Sequence, residues 1–235
     1  MRFKDKEMRK VFYIIRSLFT LFAFCMLAMG CEEKLDRSPY GFREEDESDL
    51  IAGAIFFQSF TNNGDGTTSD STSGLMWKTC SQGQLFNGDA TSYNCRGANG
   101  SLANPSSFGA TDLQYCSVDL NSCNTLGIPQ TLTNVSPIGI TGSSEAYDSC
   151  ANDNTGGHTD WRVASFLELK YLSSNSRNFM LLKFPDTLES FYWSSTANEQ
   201  DAAGKTARAV SFSKDRFGED ESYSKTSRYF VRCVR

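Results

Sequence analysis

The chain of 235 residues contains 23 Lys/Arg, 28 Asp/Glu and a single histidine, which give a formal net charge of −5 at pH 7. Six of the basic and two of the acidic residues lie in residues 1–30, so the sequence from Cys31 onward carries 17 basic and 26 acidic residues and a net charge of −9. An acidic chain gains nothing from counterion release at a phosphate backbone. This charge argues against nucleic acid as a partner and against attraction to anionic lipid headgroups.

The N-terminus has the pattern of a lipoprotein export signal. A basic segment precedes an apolar run at residues 18–30, shorter than the roughly 20 residues that span a bilayer. The run ends in small residues before Cys31, which is typical of a cleavage site. We therefore predict a signal peptide at residues 1–30 and lipidation of Cys31, which anchors the chain in a bacterial cell envelope, at the outer membrane or the cell surface. An uncleaved membrane anchor is the alternative, and Ala28 stands where leucine is usual.

Residues 31–49 are predicted to form an acidic, disordered tether. They combine many carboxylates with few apolar residues, and Pro39 and Gly41 interrupt regular structure. If flexible, the seventeen residues 32–48 span roughly 20 to 25 Å, so a folded domain can stand off the membrane. The remaining residues, 50–235, have the length of one domain and contain no visible repeat or second linker.

The cysteines indicate three disulfides. Of eight cysteines, Cys25 leaves with the signal peptide and Cys31 takes the lipid, which leaves Cys80, Cys95, Cys116, Cys123, Cys150 and Cys233. An even number in an exported chain is typical of a disulfide framework, although six cysteines allow fifteen connectivities. Because no CxxC pair occurs and His158 is the only histidine, we expect neither a structural zinc site nor another cofactor.

The first predicted element is a hairpin at residues 60–68. Asn-Gly and Asp-Gly dipeptides lie between strand-like flanks, a strong local hairpin signal. A calcium loop with Asp65 and Asp70 as ligands is the alternative. It lacks the alternating acidic ligands and the final glutamate of an EF-hand.

Two helices are predicted after the hairpin. Residues 144–151 place Cys150 on the inner face of a short helix. Ser165 and Glu168 fit a capping box, and apolar residues recur at helical spacing from Phe166 onward, so this second helix has an inward-facing apolar stripe.

The last third of the chain is predicted to form strands. Residues 191–196, 209–212 and 228–235 have strand patterns, and 215–218 form a turn. Alternation in the final strand groups Cys233 with Tyr229 and Val231 on one face. Short strands, long loops and two helices together indicate an α+β fold held by disulfides.

Four short segments occur together in a fixed order. They are Gly-Leu-Met-Trp at 74–77, Gly-His-Thr-Asp-Trp-Arg at 157–162, Tyr-Trp-Ser-Ser-Thr at 192–196 and the last seven residues. In this combination the chain resembles the Lcl C-terminal domain family, from about Phe60 to its end. The resemblance implies a C-type-lectin-like fold: two helices beside a small antiparallel sheet, long loops and adjacent termini.

The resemblance also implies roles for individual residues. Cys150 and Cys233 fall on the family's bridge between a helix and the last strand, and proximity then pairs Cys80 with Cys95 and Cys116 with Cys123. We expect three tryptophans and one arginine of these segments to be architectural, with the arginine bound to a carboxylate that the sequence does not identify; they are Trp77, Trp161, Trp193 and Arg162.

The chain departs from the family in two places. Val163-Ala164-Ser165 replaces the usual Leu-Pro-Thr, and residues 97–142 form an enlarged loop region, where ligands dock in this fold. The sequence triplets with which true C-type lectins bind calcium and sugar are absent. Trp193-Ser194-Ser195 stands where those lectins have Trp-Asn-Asp. Calcium-independent glycan binding therefore stays open, with Tyr93, Phe108 or Tyr115 as stacking residues if they are not packed inside the fold.

These observations predict a surface-exposed lipoprotein with a lectin-like domain that binds a glycan, a matrix component or an envelope protein. A structural or assembly subunit of an envelope complex is the alternative. Formylglycine-generating enzymes are distantly similar in fold, but their chemistry needs a reactive cysteine pair, and bridged cysteines provide no thiolate. We therefore expect no enzymatic activity.

Overall fold

Two five-stranded sheets, a two-stranded hairpin and three helices make up the part of the chain that the structure, a computed structural model, describes: residues 58–97, 107–123 and 142–235. The predicted signal peptide, Cys31 and the tether lie outside these residues, as do 98–106 and 124–141 of the predicted loop region. The described residues belong to one compact unit. Helices combined with largely antiparallel strands confirm the α+β class.

Sheet A has the strand order β1-β2-β3-β12-β7, and all its neighbours are antiparallel. Its strands are β1 (Phe60–Asn62), β2 (Thr67–Asp70), β3 (Met76–Lys78), β7 (Arg162–Val163) and β12 (Cys233–Val234). The β1–β2 hairpin lies at the predicted position. Its turn requires glycine at Gly64 and Gly66, since both have a φ near +90° that side chains disfavour.

Sheet B has the order β10-β9-β8-β11-β6, in which only β8 and β11 run parallel. Its strands are β6 (Leu113–Gln114), β8 (Phe191–Ala197), β9 (Thr206–Ser211), β10 (Asp220–Ser224) and β11 (Arg228–Val231). Strands β11 and β12 are separated by Arg232 alone. The end of the chain therefore passes from sheet B into sheet A and joins them. A separate hairpin pairs β4 (Phe86–Gly88) with β5 (Tyr93–Cys95).

The helices are α1 (Glu145–Ala151), α2 (Phe166–Leu172) and α3 (Arg177–Lys183). Helix α2 has the predicted capping box, because the Ser165 hydroxyl accepts from the Glu168 amide and the Glu168 carboxylate accepts from the Ser165 amide. The sequence predicted two helices, and the described residues contain a third, α3, that was not predicted. Its four apolar residues, 179–182, are consecutive and lack the helical spacing that predicts a helix. None of the described helices is long and apolar enough to cross a membrane.

Strand β8 separates two hydrophobic clusters. Tyr192 belongs to the cluster that packs against α2 and α3, and the next residue, Trp193, belongs to the cluster around α1 and the last strand. As predicted, Tyr229, Val231 and Cys233 share one cluster. Cys150–Cys233 is the bridge that the family resemblance implied, and Cys80–Cys95 and Cys116–Cys123 have the pairing expected from proximity.

Candidate functional site

A polar pocket of about 460 Å³ lies between the β1–β2 turn, the end of β3, the β4–β5 hairpin and the segment that follows α1. We name it the Lys78 pocket. Its polar lining comes mainly from Asp65, Lys78, Gln82, Asn152, Asp153 and Asn154, and its apolar lining from Leu85 and Phe86.

An ion pair forms the charged part of the Lys78 pocket. Strand β3 brings Lys78 to Asp153, and the side chains are only 10 % and 9 % exposed. The Lys78 ammonium also donates to the Gln82 amide oxygen at 2.8 Å. Burial raises the pKa of Asp153, but hydrogen bonds from Lys78 and Thr155 outweigh it and hold that pKa below its ordinary value. The Asp153 carboxylate is therefore ionised at neutral pH.

Several polar atoms of the pocket have no partner among the described residues. The Lys78 ammonium uses two of its three N–H donors. The side-chain amides of Asn152 and Asn154 are exposed and make no hydrogen bond within the described ranges. Asp65 accepts from Thr67 through Oδ1 only, which leaves its Oδ2 available there. The pocket thus offers both donors and acceptors to a ligand.

The apolar side of the Lys78 pocket belongs to the β4–β5 hairpin. Phe86 is half-buried and stacks on Tyr93 with ring centroids 5.7 Å apart. Leu85, at the pocket edge, is 43 % exposed. A ring beside hydrogen-bonding groups is the combination that binds the apolar face and the hydroxyls of a sugar.

Two disulfides hold the walls of the pocket. Cys80–Cys95 closes the hairpin, and Cys150–Cys233 fixes α1 to the last strand. Gln82 connects the walls, because its amide donates to the Ser149 carbonyl at 2.5 Å. Crosslinked walls reduce the entropy that ligand binding would otherwise cost.

The structure separates the two calcium candidates. Asp65 lines the Lys78 pocket, whereas Asp70 is 1 % exposed and lines a different pocket. The Asp70 carboxylate accepts from the Ser59 amide at 3.0 Å, the Ser73 hydroxyl at 2.6 Å and the Tyr171 hydroxyl at 2.5 Å. Its role is to join the β2–β3 turn to α2. Among the described residues, no group of three His, Cys, Asp or Glu side chains is arranged to hold a metal ion.

The three tryptophans of the recognised segments are buried. Trp77 packs edge-on against Phe184, and Trp193 donates to the Leu113 carbonyl at 2.9 Å. Trp161 donates to the carbonyl of Thr155 at 3.1 Å and so supports the pocket wall. These contacts place the three tryptophans in the packing of the fold.

The carboxylate partner of Arg162 is Glu168. Both are buried, and the guanidinium donates twice to the carboxylate, at 2.7 and 2.5 Å. Glu168 also accepts from the Ser165 amide at 2.7 Å. The Glu168 carboxylate thus caps α2 and also forms an ion pair with Arg162 of β7.

The predicted ligand loops, residues 97–142, are described only in part. A side chain at Gly97 would lie 2.9 Å from Gly109 Cα, so the described ends of this region pack closely together. Of the candidate stacking residues, Tyr115 is fully buried and donates to the Ser195 carbonyl at 3.0 Å. Arg96 lies 5.4 Å from the Phe108 ring centroid. Docking at these loops stays a prediction.

The sequence did not reveal the Lys78 pocket. Lys78 and Asp153 are 75 positions apart and meet only in the folded chain. Nothing in the sequence around Asn152 and Asn154 indicated ligand groups.

The Lcl C-terminal domain family model matches residues 66–235. This range includes every lining residue of the Lys78 pocket except Asp65. No curated protein matches the chain.

Proposed function

Since the chain belongs to the Lcl C-terminal domain family, we propose that it is a surface-exposed bacterial lipoprotein whose domain recognises a carbohydrate without calcium. In this proposal residues 1–30 are the signal peptide, Cys31 carries the lipid at the outer membrane or cell surface, and residues 31–49 tether the domain. The biological role is adhesion or recognition of a glycan, or of a glycan-bearing matrix component or envelope protein.

The Lys78 pocket is the observation that carries the proposal. Sugar hydroxyls both donate and accept, and the pocket offers an ammonium donor, two free amides and a carboxylate oxygen. Phe86 adds a ring on which the C–H face of a sugar can stack. Its volume of about 460 Å³ is in the ordinary range for small-ligand sites.

Calcium is not needed for this mode of binding. The ion pair and two disulfides already fix the walls of the pocket that carry the ligand groups. Asp70, the second calcium candidate, has its carboxylate engaged by Ser59, Ser73 and Tyr171.

A C-type-lectin-like fold is part of the proposal. Two observations support it: Thr61 and Arg235, near the two ends of the described domain, line the same small pocket, and a disulfide joins α1 to the last strand. The absence of enzymatic activity is also proposed. In its support, the six described cysteines are bridged, and each described carboxyl group with a shifted pKa shifts downward, away from a proton donor at neutral pH.

The test is binding of the purified chain from residue 32 onward to a glycan array, with and without a chelator. We expect binding that the chelator does not change. Asn152→Ala and Asn154→Ala should weaken it about tenfold each, since each removes hydrogen bonds to the ligand. Asn178→Ala, which removes an exposed amide on α3, is the matched control and should bind like the parent.

Three outcomes contradict the proposal. Loss of binding in the presence of the chelator would indicate that the protein binds its ligand through calcium. Binding that survives both pocket variants but is lost on deletion of residues 97–142 moves the site to the loops. No binding by a monodisperse, fully bridged domain favours the structural subunit.

A further inference from the structure

We propose that helix α3 rests on the membrane that anchors the protein, with Leu182 inserted among the lipid chains. The inference rests on anchorage through Cys31, which belongs to the proposed function, and it is independent of the Lys78 pocket.

The first observation is the exposure of α3. Met180 is its only buried residue. Leu182 is 74 % exposed, and Leu85 at 43 % is the other exposed large hydrophobic residue among those described. A helix that presents an apolar side chain to solvent and lacks the length to span a bilayer fits the surface of a membrane.

The second observation is the charge around Leu182. Helix α3 contains Arg177 and Lys183 and no acidic residue. Arg177 is paired with Glu189 at 2.9 Å, whereas Lys183, next to Leu182, has no acidic partner among the described residues. Although the chain is acidic overall, screening limits charge effects to about 8 Å in physiological salt. The lipid surface therefore meets a basic group beside an apolar one.

An aromatic residue completes the surface. The Tyr93 hydroxyl donates to the carbonyls of Leu182 at 3.1 Å and Lys183 at 3.4 Å, so its half-buried ring lies at the C-terminal end of α3. Tyrosine rings favour the interface between lipid and water, where the ring is apolar and the hydroxyl is wet.

The position of the chain entry supports a membrane rather than another occupant. Gln58 is the first described residue, and its side chain donates to the Ser174 hydroxyl at 3.1 Å and to the Tyr171 carbonyl. Ser174 is two residues before Ser176, the N-cap of α3. The first described residue therefore lies beside the N-terminal end of α3. Since tethering raises the effective concentration of the surface, a weak contact is sufficient.

The experiment uses the chain from residue 32 onward, attached by an N-terminal His tag to vesicles of phosphatidylcholine with one-fifth phosphatidylglycerol and a nickel-chelating lipid. Leu182→Trp and, as the matched control, Leu85→Trp are compared in vesicles with and without brominated acyl chains. Bromine quenches only at short range, and the native tryptophans are buried. We expect quenching of the Leu182→Trp variant and little change in the Leu85→Trp variant.

A second variant tests the basic group. Lys183→Glu, added to Leu182→Trp, should reduce the quenching on vesicles with phosphatidylglycerol more than on phosphatidylcholine alone. Equal quenching in the two tryptophan variants, or none in either, would overturn the inference. A concentration-dependent emission shift of the Leu182→Trp variant without vesicles would also overturn it, because a second copy would then cover α3.

The outcomes separate the two proposals. The His tag replaces the lipid, so missing quenching counts against α3 alone. A native chain without fatty acid on Cys31 would instead overturn the anchorage in the proposed function.

Discussion

Arg232 lies fully buried, with its guanidinium 4.9 Å from the centroid of the Phe184 ring. It donates to the carbonyl oxygens of Lys78 at 3.2 Å and Thr79 at 2.8 Å, and to the Thr187 hydroxyl at 2.8 Å. Within the described residues these oxygens and aromatic rings, rather than a carboxylate, surround the charge, and burial lowers the pKa of Arg232 from its ordinary value. Arg232, between β11 and β12, thus holds the end of β3, which carries Lys78 into the pocket.

The Arg232→Ala variant should be strongly destabilised, because buried carbonyls of β3 would lose their donors. We expect a loss of about 3 kcal/mol in the free energy of unfolding, measured by urea denaturation. Arg216→Ala is the control, since Arg216 makes exposed ion pairs with Glu219 and Glu221 and should leave the midpoint nearly unchanged. Equal midpoints for the two variants would contradict this role of Arg232.

Features encoded by neighbouring residues could be predicted from the sequence. The capping box of Ser165 and Glu168 depends on four successive residues, and the β1–β2 turn depends on Gly64 and Gly66. The disulfide pairing was different, because spacing left fifteen connectivities open; the family resemblance supplied Cys150–Cys233, and proximity then supplied the other two bridges.

Features made by tertiary contact could not be predicted. Glu168 was identified as a cap, but only the approach of β7 to α2 makes it the partner of Arg162. Alternation along the predicted last strand placed Arg232 opposite the apolar set, yet it is buried because the chain passes there from sheet B into sheet A. The Lys78 and Asp153 pair depends equally on contacts between distant segments.

The Arg162 and Glu168 pair gives a second prediction. Glu168→Gln leaves a buried guanidinium without its charge partner and should cost about 3 to 5 kcal/mol in the free energy of unfolding. The double variant Arg162→Leu with Glu168→Leu should recover part of this loss, because it removes both buried charges. Thermal or urea unfolding of the parent, Arg162→Leu, Glu168→Leu and the double variant measures the coupling. Additive losses would show that the pair does not act as a unit.

Two cysteine variants test the disulfides by loop length. In the loop-entropy model Cys150–Cys233, with a separation of 83 residues, contributes about 4 to 5 kcal/mol. Cys116–Cys123, with a separation of 7, contributes about 2 to 3 kcal/mol. Cys233→Ser should therefore lower the unfolding midpoint more than Cys116→Ser. A Cys233→Ser variant that melts like the parent would contradict both the pairing and the role of the last strand.

The buried amine of Lys225 predicts a dependence of stability on alkaline pH. Burial lowers the pKa of Lys225 from 10.5 to about 8, although Asp201 and Asp119 act in the opposite direction. Its ammonium donates to the Ser122 carbonyl at 2.8 Å and lies 5.7 Å from the Tyr115 ring centroid. Between pH 8 and 10.5 the unfolded chain binds a proton that the folded chain releases, so stability increases as pH rises. Below pH 8 the buried amine is charged in the folded chain, so the full cost of burying the charge reduces the free energy of unfolding.

Lys225→Met removes this titration. The free energy of unfolding of the parent minus that of the variant should therefore increase as pH rises from about 8 to about 10.5. Lys214→Met, at an exposed position, is the control, and its pH profile should remain parallel to that of the parent. Urea denaturation at a series of pH values measures the three profiles. If the Lys225→Met profile also stays parallel to that of the parent, Lys225 does not titrate in this window and its amine is better solvated than its burial indicates.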